Sequence, residues 1–204
     1  MIPAPDASAA IILCGGRSVR MGQDKAWLLI DGETFLNRIC RIVDPCFDLV
    51  VVVAARNQNL PEIPATVQVV RDTMPDAGPL AGLLTGLQEI QRRQPDSEHC
   101  WLGSCDTPFV NPSIIQHLQM TLRHQDAVVV QQADRIQPFG GVYRFGIQEI
   151  VQQLIDSGER RLNQLAQRIC TEFIDAEELR IYDPDLAFLR NFNTPDDYER
   201  CRAL

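Results

Sequence analysis

Two continuous apolar runs constrain what this chain can fold into more than any other feature of its sequence. They lie in the predicted strands Ala9–Cys14 and Asp48–Ala54, in the second after the initial Asp48. Neither shows the apolar–polar alternation of a strand with one solvent-exposed face. Strands of this kind are covered on both faces, as in a parallel sheet between helices. Apolar residues at helical spacing follow in Phe35–Val43 and Leu80–Arg92. The alternation predicts βαβ units and a Rossmann-like, three-layer α/β/α sandwich around a mostly parallel sheet.

The rest of the chain continues this alternation. Further strands are predicted at Val67–Val70, Cys100–Cys105, Asp126–Val130, Phe139–Tyr143 and Thr171–Ile174. Further helices are predicted after Asn111-Pro112, near Ile147–Asp156 and Arg161–Arg168, and after Asn193. Asn111 is the expected cap of its helix, with Pro112 at the first helical position. Because the sequence shows no repeat and no linker, residues 1–204 are expected to form a single domain.

Composition argues against several classes of protein. The formal net charge is -8. Proteins that bind nucleic acid normally present a clustered basic surface, so this charge argues against a nucleic-acid partner. One small polyanion stays compatible with this charge, because a single basic loop can bind it. No apolar run approaches the ~20 residues that span a bilayer, and the first eight residues do not resemble a signal peptide. We therefore expect a cytoplasmic protein with no nucleic-acid or membrane partner.

The seven cysteines agree with a reducing compartment. They are odd in number and scattered, and they contain no CxxC pair, so neither a disulfide framework nor a zinc site is indicated. Free cysteines in apolar runs behave as small buried hydrophobic residues. We expect all seven to be structural, including Cys14 and Cys105 beside the loops described next.

A glycine-rich loop, Leu13–Lys25, follows the first predicted strand directly. It combines three glycines with three cationic side chains, those of Arg17, Arg20 and Lys25. Glycines let backbone amides approach an anion closely, and the cations can neutralise it, which suits a triphosphate. The loop is not a Walker loop, because Lys25 does not directly follow Gly22, and it lacks the GxGxxG fingerprint. The simpler alternative is a βα turn whose charges are solvated.

Two carboxylates follow neighbouring predicted strands. Asp72 comes after the third strand and Asp106 after the fourth. In open α/β sheets the ligand binds beyond the carboxyl ends of the strands, so both should face the same crevice as the glycine loop. Carboxylates beside a triphosphate suit Mg²⁺, which takes oxygen ligands. For either aspartate alone, a turn or helix cap is the alternative.

The loop Leu13–Lys25 resembles the signature of the molybdenum cofactor guanylyltransferases. This family lies within the nucleotidyltransferases of GT-A-like α/β fold, which also include sugar-phosphate nucleotidyltransferases. Three further segments resemble the family in the same order: Arg71–Leu83, Cys105–Pro108 and Asn191–Pro195. The resemblance covers almost the whole chain. It implies transfer of GMP from GTP to the phosphate of molybdopterin or the molybdenum cofactor, with release of pyrophosphate and Mg²⁺ as cofactor.

The resemblance also implies roles for individual residues. The expected catalytic residues are Lys25, Arg20 and Asp106, and Asp106 is the expected Mg²⁺ ligand. The expected nucleotide-binding residues are Leu13, Cys14, Gly15, Gly16, Lys25, Asp72, Gly78 and Asp106, and Asp72 is a candidate second contributor to the metal site. Gly15-Gly16 favours GTP, because relatives that use CTP tend to carry Ala-Gly there.

Other contacts are less specified by the resemblance. The family often carries a polar Asn at the end of its second strand. In this chain Asn57 is the expected substitute for it. The C-terminal half is expected to bind the acceptor, and Arg160 and Arg161 are interpreted equally well as phosphate ligands or as exposed helix charges. Asn193 is expected to cap the last helix, although the family motif places it near the active-site side. Transient contact with molybdoenzymes or cofactor-handling proteins is a further expectation.

Two alternatives stay open from sequence. One is a cytidylyl- or sugar-phosphate nucleotidyltransferase on the same fold. The other is a non-catalytic module that binds a nucleotide or carries a cofactor. The presence of Asp72 and Asp106 beside Lys25 favours an enzyme, because a pure binding protein has less need of a metal site.

Overall fold

The computed structural model describes residues 8–15, 24–74 and 77–202. Within these ranges the strands are β1 Ser8–Leu13, β2 Leu29–Ile30, β3 Glu33–Thr34, β4 Leu49–Ala54, β5 Gln68–Arg71, β6 His99–Ser104, β7 Ala127–Gln132, β8 Arg135–Arg144 and β9 Thr171–Asp175. The α-helices are α1 Phe35–Val43, α2 Pro79–Arg93, α3 Pro112–Thr121, α4 Gln148–Asp156, α5 Leu162–Arg168 and α6 Pro195–Arg202. Every strand and helix that the sequence predicts is present, with bounds that differ by a few residues.

A central sheet organises the molecule, with strand order β5-β4-β1-β6-β8-β7-β9. Strand β1 pairs in parallel with β4 on one side and with β6 on the other. Only β8 runs against its neighbours in this sheet, because it pairs antiparallel with both β6 and β7. The predicted mostly parallel sheet is therefore confirmed.

Helices cover both faces of the sheet. On β1, the side chains of Ala9, Ile11 and Leu13 are buried in the cluster that includes α2, α4 and α5. Their neighbours Ala10 and Ile12 point the other way, into the cluster that includes α1 and α3. Successive side chains of a strand alternate between the two faces, so a strand buried on both faces must be apolar throughout. The three-layer sandwich follows from this requirement.

Two local features go beyond the sequence prediction. The segment before α1, for which the sequence predicts no strand, contains the short β2–β3 hairpin. Its turn residues Asp31 and Gly32 have φ values of 52° and 79°, which matches the Asp-Gly preference of a tight hairpin turn. Strand β8 starts four residues earlier than expected and forms a second hairpin with β7, in which Ala133 has a positive φ of 51°.

The described part of the chain contains no helix that is both long enough and apolar enough to cross a membrane.

The cap of α3 is confirmed in detail. Asn111 Oδ1 accepts hydrogen bonds from the amides of Ser113 at 2.9 Å and Ile114 at 3.4 Å. Its Nδ2 donates to the carbonyl oxygen of Tyr182 at 3.0 Å, which ties the helix start to the C-terminal part of the chain. Asn111 therefore contributes both a helix cap and a long-range contact.

We expect Asn111→Ala to lower the free energy of unfolding by about 1–2 kcal/mol, because two helix amides and the carbonyl of Tyr182 lose their partner. Urea denaturation measures the change. Asn111→Ser is the matched control, since serine retains the cap but is too short for the contact with Tyr182, and it should cost less. Equal losses for the two variants would show that the cap contributes nothing.

Candidate active site

The carboxyl ends of β1, β4, β5 and β6 meet at one edge of the sheet. Backbone hydrogen bonds continue past the strands there: the amide of Cys14 donates to Val53 O at 2.8 Å, and that of Asp72 to Ala54 O at 2.8 Å. The amide of Cys105 donates to Leu13 O at 2.9 Å. The segments that the sequence selects by the strand-end rule are thus neighbours in the structure.

Lys25 lies at this edge, beside the end of β6, and is the only lysine in the sequence. Its Nζ donates to Asp106 Oδ2 at 3.0 Å and to Asn193 Oδ1 at 2.5 Å. The Lys25 and Asp106 side chains are only 16% and 19% exposed, so water screens their attraction less than it screens a surface pair. An ammonium has three protons. Two are directed at these oxygens, and among residues 8–15, 24–74 and 77–202 the third has no partner.

Asp106 offers a second oxygen to the site. Its Oδ1 is buried, and among the described residues it has no hydrogen-bond partner. A buried carboxylate oxygen without a donor is costly unless a ligand satisfies it. The backbone of Asp106 is held by the amide of Phe192, which donates to Asp106 O at 3.1 Å. Asp106 is therefore a fixed carboxylate with one oxygen that fits a hard cation such as Mg²⁺.

Asp72 lies on a different part of the edge. Its Oδ1 accepts from the amide of Met74 at 2.9 Å, which is the turn contact that the simpler interpretation of this residue predicts. Strands β4 and β1 lie between β5 and β6, so three strand spacings, about 14 Å, separate the ends that carry Asp72 and Asp106. This separation favours a nucleotide contact for Asp72 over a share in a metal site on Asp106.

Gln58 is a polar residue at this edge that the sequence interpretation missed. Its Nε2 donates to Cys14 O at 3.0 Å and to Asp24 Oδ2 at 2.8 Å, and its Oε1 accepts from the amide of Ala55 at 3.0 Å. Asn57, the residue that the sequence suggested in this turn, is exposed. The only available signal was a polar side chain in the turn after the second strand.

The predicted cap role of Asn193 is wrong. Helix α6 begins at Pro195, and the amide of Asp197 donates to Thr194 Oγ1 at 3.2 Å. Asp197 Oδ2 in turn accepts from the amide of Thr194 at 2.9 Å, so Thr194 and Asp197 form the reciprocal contacts of a capping box. The side chain of Asn193 instead accepts a hydrogen bond from Lys25, which lies 168 positions away in sequence.

Gly78 precedes α2 in a conformation that suits glycine, with φ 75° and ψ -169°. A Cβ at this position would lie 2.8 Å from the Cβ of Arg160 and 2.9 Å from its carbonyl oxygen. Arg160, for which the sequence leaves a phosphate ligand and an exposed charge equally open, is thus placed against Gly78. Arg161 instead pairs with Glu159 at 3.0 Å, and this hydrogen bond lowers the pKa of the Glu159 carboxyl to about 2.

Several predicted site residues lie outside the described residues. These are Gly16, Arg17, Arg20 and Gly22 of the glycine loop. Of the nucleotide-binding set, the structure describes Leu13, Cys14, Gly15, Lys25, Asp72, Gly78 and Asp106.

Cys14 and Cys105 beside the site are buried thiols, as are Cys40 and Cys100 elsewhere in the core. The side-chain hydrogen bond with Cys14, together with burial, raises the pKa of Cys105 well above its usual value. Burial raises the pKa of Cys40 to about 12 and also raises that of Cys100. Reactive cysteines have lowered pKa values, so these three thiols have the character of structural residues.

The fold and the strand-end site define an α/β nucleotidyltransferase. The family model of the MobA-like NTP transferase domain matches residues 10–171, and the chain belongs to this family. The molybdenum cofactor guanylyltransferase of Syntrophotalea carbinolica is 28% identical over 95% of this chain and 90% of the relative. A probable molybdenum cofactor guanylyltransferase of Methanothermobacter thermautotrophicus is 30% identical over 94% of this chain and 98% of the relative.

A solved structure shares this fold. The crystal structure of molybdopterin-guanine dinucleotide biosynthesis protein A from Archaeoglobus fulgidus matches with a TM-score of 0.79 and 22% identity, covering 96% of this chain and 97% of that chain. The family match ends at residue 171 and therefore does not include Asn193. The Archaeoglobus fulgidus structure and both relatives align over more than nine-tenths of this chain.

We expect Gly78→Ala to lower the free energy of unfolding by about 3 kcal/mol, because the new Cβ meets the backbone of Arg160 in a conformation that disfavours side chains. Gly158→Ala is the matched control. Gly158 also has a positive φ, 84°, but a Cβ there would meet no atom of the described residues within 4 Å beyond its own chain neighbours. It should cost about 1 kcal/mol. Urea denaturation of both variants tests this, and equal losses would contradict the close contact with Arg160.

Proposed function

We propose that this protein transfers GMP from GTP to the terminal phosphate of molybdopterin or the molybdenum cofactor, releasing pyrophosphate and forming the guanine dinucleotide cofactor. The observation that carries the proposal is the Lys25–Asp106 pair at the carboxyl edge of a nucleotidyltransferase sheet. The names of the relatives support the choice of GTP and of the molybdenum cofactor as substrates. We place the reaction in the cytoplasm.

The reaction needs no covalent nucleophile from the protein. An oxygen of the acceptor phosphate forms a bond to the α-phosphorus of GTP, and the bond from that phosphorus to the bridging oxygen of pyrophosphate breaks. Charge neutralisation and positioning supply most of the catalysis in such transfers. We propose that the third proton of the Lys25 ammonium donates a hydrogen bond to a phosphate oxygen of GTP or of the leaving pyrophosphate. Arg20 is assigned the same task from its place in the glycine loop.

We propose Mg²⁺ as the cofactor and Asp106 as the residue that holds it. The buried Oδ1 of Asp106 is the observation that fits a hard cation. Bound Mg²⁺ would neutralise charge on the phosphate oxygens. The other Asp106 oxygen keeps its contact with Lys25, so one carboxylate orients both positive charges.

The nucleotide is proposed to lie across the ends of β1, β4 and β5. Leu13, Cys14 and Gly15 lie at the start of the glycine loop, and Gly78 lies at the amino end of α2. Gly16 is assigned to the same side from its place in the sequence. Gly15 is exposed and packs closely on the turn after β4, since a Cβ there would lie 3.0 Å from the amide nitrogen of Ala55. A side chain at this position would push that turn away. Asp72 completes the proposed nucleotide side.

We propose that residues 1–204 act as one domain, with nucleotide bound by the N-terminal half and acceptor by the C-terminal half. Arg160, beside Gly78, is a candidate contact at the boundary between the two. Transient contact with molybdoenzymes or cofactor-handling proteins would deliver the product.

We expect Lys25→Ala and Asp106→Ala each to lower pyrophosphate release from GTP and molybdopterin by at least about a hundredfold. The first removes a positive charge that faces the phosphates, and the second removes the carboxylate that holds Mg²⁺ and orients Lys25. Arg180→Ala is the control: it breaks an exposed pair with Glu177 and should leave turnover unchanged. Circular dichroism confirms that each variant is folded. A folded Lys25 or Asp106 variant with wild-type turnover would disprove the assignment.

A nucleotide panel tests the choice of base. Calorimetric titration with GTP, CTP, UTP and ATP in Mg²⁺ should show GTP binding at least tenfold more tightly than the other three. Preference for CTP or UTP would replace the proposal with a cytidylyl- or sugar-phosphate transferase. Tight binding of GTP without pyrophosphate release in the presence of molybdopterin would indicate a binding module.

A further inference from the structure

We infer that Gln58 is a positioning residue of the transfer reaction, which holds Lys25 in place by joining Cys14 to Asp24. The inference rests on the proposed function and names a residue that neither the family match nor the sequence pattern assigns. Gln58 acts on the Lys25 ammonium indirectly. It works through the backbone and side chains on either side of the glycine loop.

The side-chain amide of Gln58 uses its hydrogen-bonding groups in one defined orientation. The Ala55 amide can only donate, so the atom that faces it is Oε1. The Cys14 carbonyl can only accept, so the atom that faces it is Nε2. The second Nε2 proton reaches Asp24 Oδ2 at 2.8 Å. One side chain thus joins the end of β1, the turn after β4 and the residue before Lys25.

The backbone of Gln58 is itself anchored to the sheet. Its amide donates to Ala55 O at 3.1 Å, which closes the turn after β4. Arg71, the last residue of β5, donates from Nη1 to Ala55 O at 3.1 Å and to Gln58 O at 2.7 Å. The turn is therefore fixed by two strands, and Gln58 projects from a rigid support.

The position of Asp24 determines the position of the next residue, Lys25. Asp24 Oδ1 accepts from the amide of Ala26 at 3.0 Å and caps the 3₁₀ helix Lys25–Trp27. Ala26 is fully buried, and the indole of Trp27 donates to Asn59 O at 3.0 Å, one residue beyond Gln58. The segment that carries Lys25 is thus held against the turn after β4. A shift of Asp24 would move the Lys25 ammonium relative to Asp106.

Gln58→Glu changes the shape of the side chain very little, but it replaces the Nε2 donor with an acceptor oxygen. The introduced carboxylate faces Cys14 O and the Asp24 carboxylate, so both hydrogen bonds become repulsions. We expect kcat to fall by about tenfold to a hundredfold and KM for GTP to rise, because a small displacement of a positioning group is costly. KM for molybdopterin should stay unchanged. A purely structural role would not separate the two substrates in this way.

A reciprocal exchange supplies the rescue. In the double variant Gln58→Glu with Asp24→Asn, the new amide of residue 24 can donate to the new carboxylate, and its oxygen can still cap Ala26. We expect the double variant to be at least about threefold more active than either single variant, which is the mark of a direct interaction in a double-mutant cycle. Single variants whose losses simply multiply in the double variant would overturn the inference.

Gln152→Glu is the matched control. Gln152 on α4 also donates from Nε2 to an aspartate, Asp156, at 2.8 Å, on an exposed helix face. The same substitution creates the same charge pair there, and it should leave both KM values and kcat unchanged. If Gln58→Glu fails to fold by circular dichroism, the near-isosteric Gln58→Met serves as the test, with the same expected loss of kcat and rise in KM for GTP.

The two hypotheses fail in different ways. Wild-type protein that releases no pyrophosphate from GTP and molybdopterin would refute the proposed function, and the inference is then decided by calorimetric affinity for GTP with Mg²⁺. Gln58→Glu should bind GTP at least tenfold more weakly than wild type and Gln152→Glu equally well. Wild-type kinetics, or equal affinity, in a folded Gln58 variant would overturn the positioning role while leaving the proposed function intact.

Discussion

The parallel pairing of β1 with β4 and β6 is the constraint on which the rest of the molecule depends. Leu13 lies in register with Val53 on one side and with Ser104 on the other, so three chain segments leave the sheet at the same level. The loops that follow carry the glycine-rich segment, Gln58 and Asp106. A slip of one residue in β1 would exchange the faces of Ile11 and Ile12 and would move the start of the glycine loop along the edge.

The site depends on a balance of charge as much as on position. The chain carries a net charge of -8, so a triphosphate needs a local source of positive charge. Lys25 supplies it from a partly buried position, where charges interact more strongly than in bulk water. In the structure its charge is held by Asp106 and by the neutral oxygen of Asn193. Asp106 balances the charge of the ammonium, and Asn193 orients it without adding a further negative charge.

Sequence reasoning succeeded where short-range pattern determines structure. The apolar runs specified buried strands, and the strand-end rule correctly selected the segments that carry Lys25 and Asp106. It could not give the direction of β8, because an apolar run reads the same in a parallel and an antiparallel strand. The β2–β3 hairpin was readable from Asp31-Gly32, but two-residue strands carry little periodicity.

The residues that sequence reasoning missed depend on contacts between distant segments. Gln58 meets Cys14 across 44 positions, and Asn193 meets Lys25 across 168. Nothing local distinguishes Gln58 from its exposed neighbour Asn57, since both are polar residues in a turn. Asn193 was mistaken for a cap because it precedes a helix, and only the contacts of Thr194 and Asp197 show which residue performs that task. The resemblance placed Asn191–Pro195 within the family pattern without giving Asn193 a partner.

The link between Lys25 and Asn193 also has a consequence for how the protein is made. Translation delivers β1, β4, β5 and β6 first, and these strands can bring Lys25 beside Asp106 while the chain is still on the ribosome. Asn193, and the Phe192 amide that holds the backbone of Asp106, are synthesised later than these four strands. The four strands that carry the site are therefore synthesised before the site is complete, and a nascent chain can contain Lys25 and Asp106 before Asn193 and Phe192 are present to hold them.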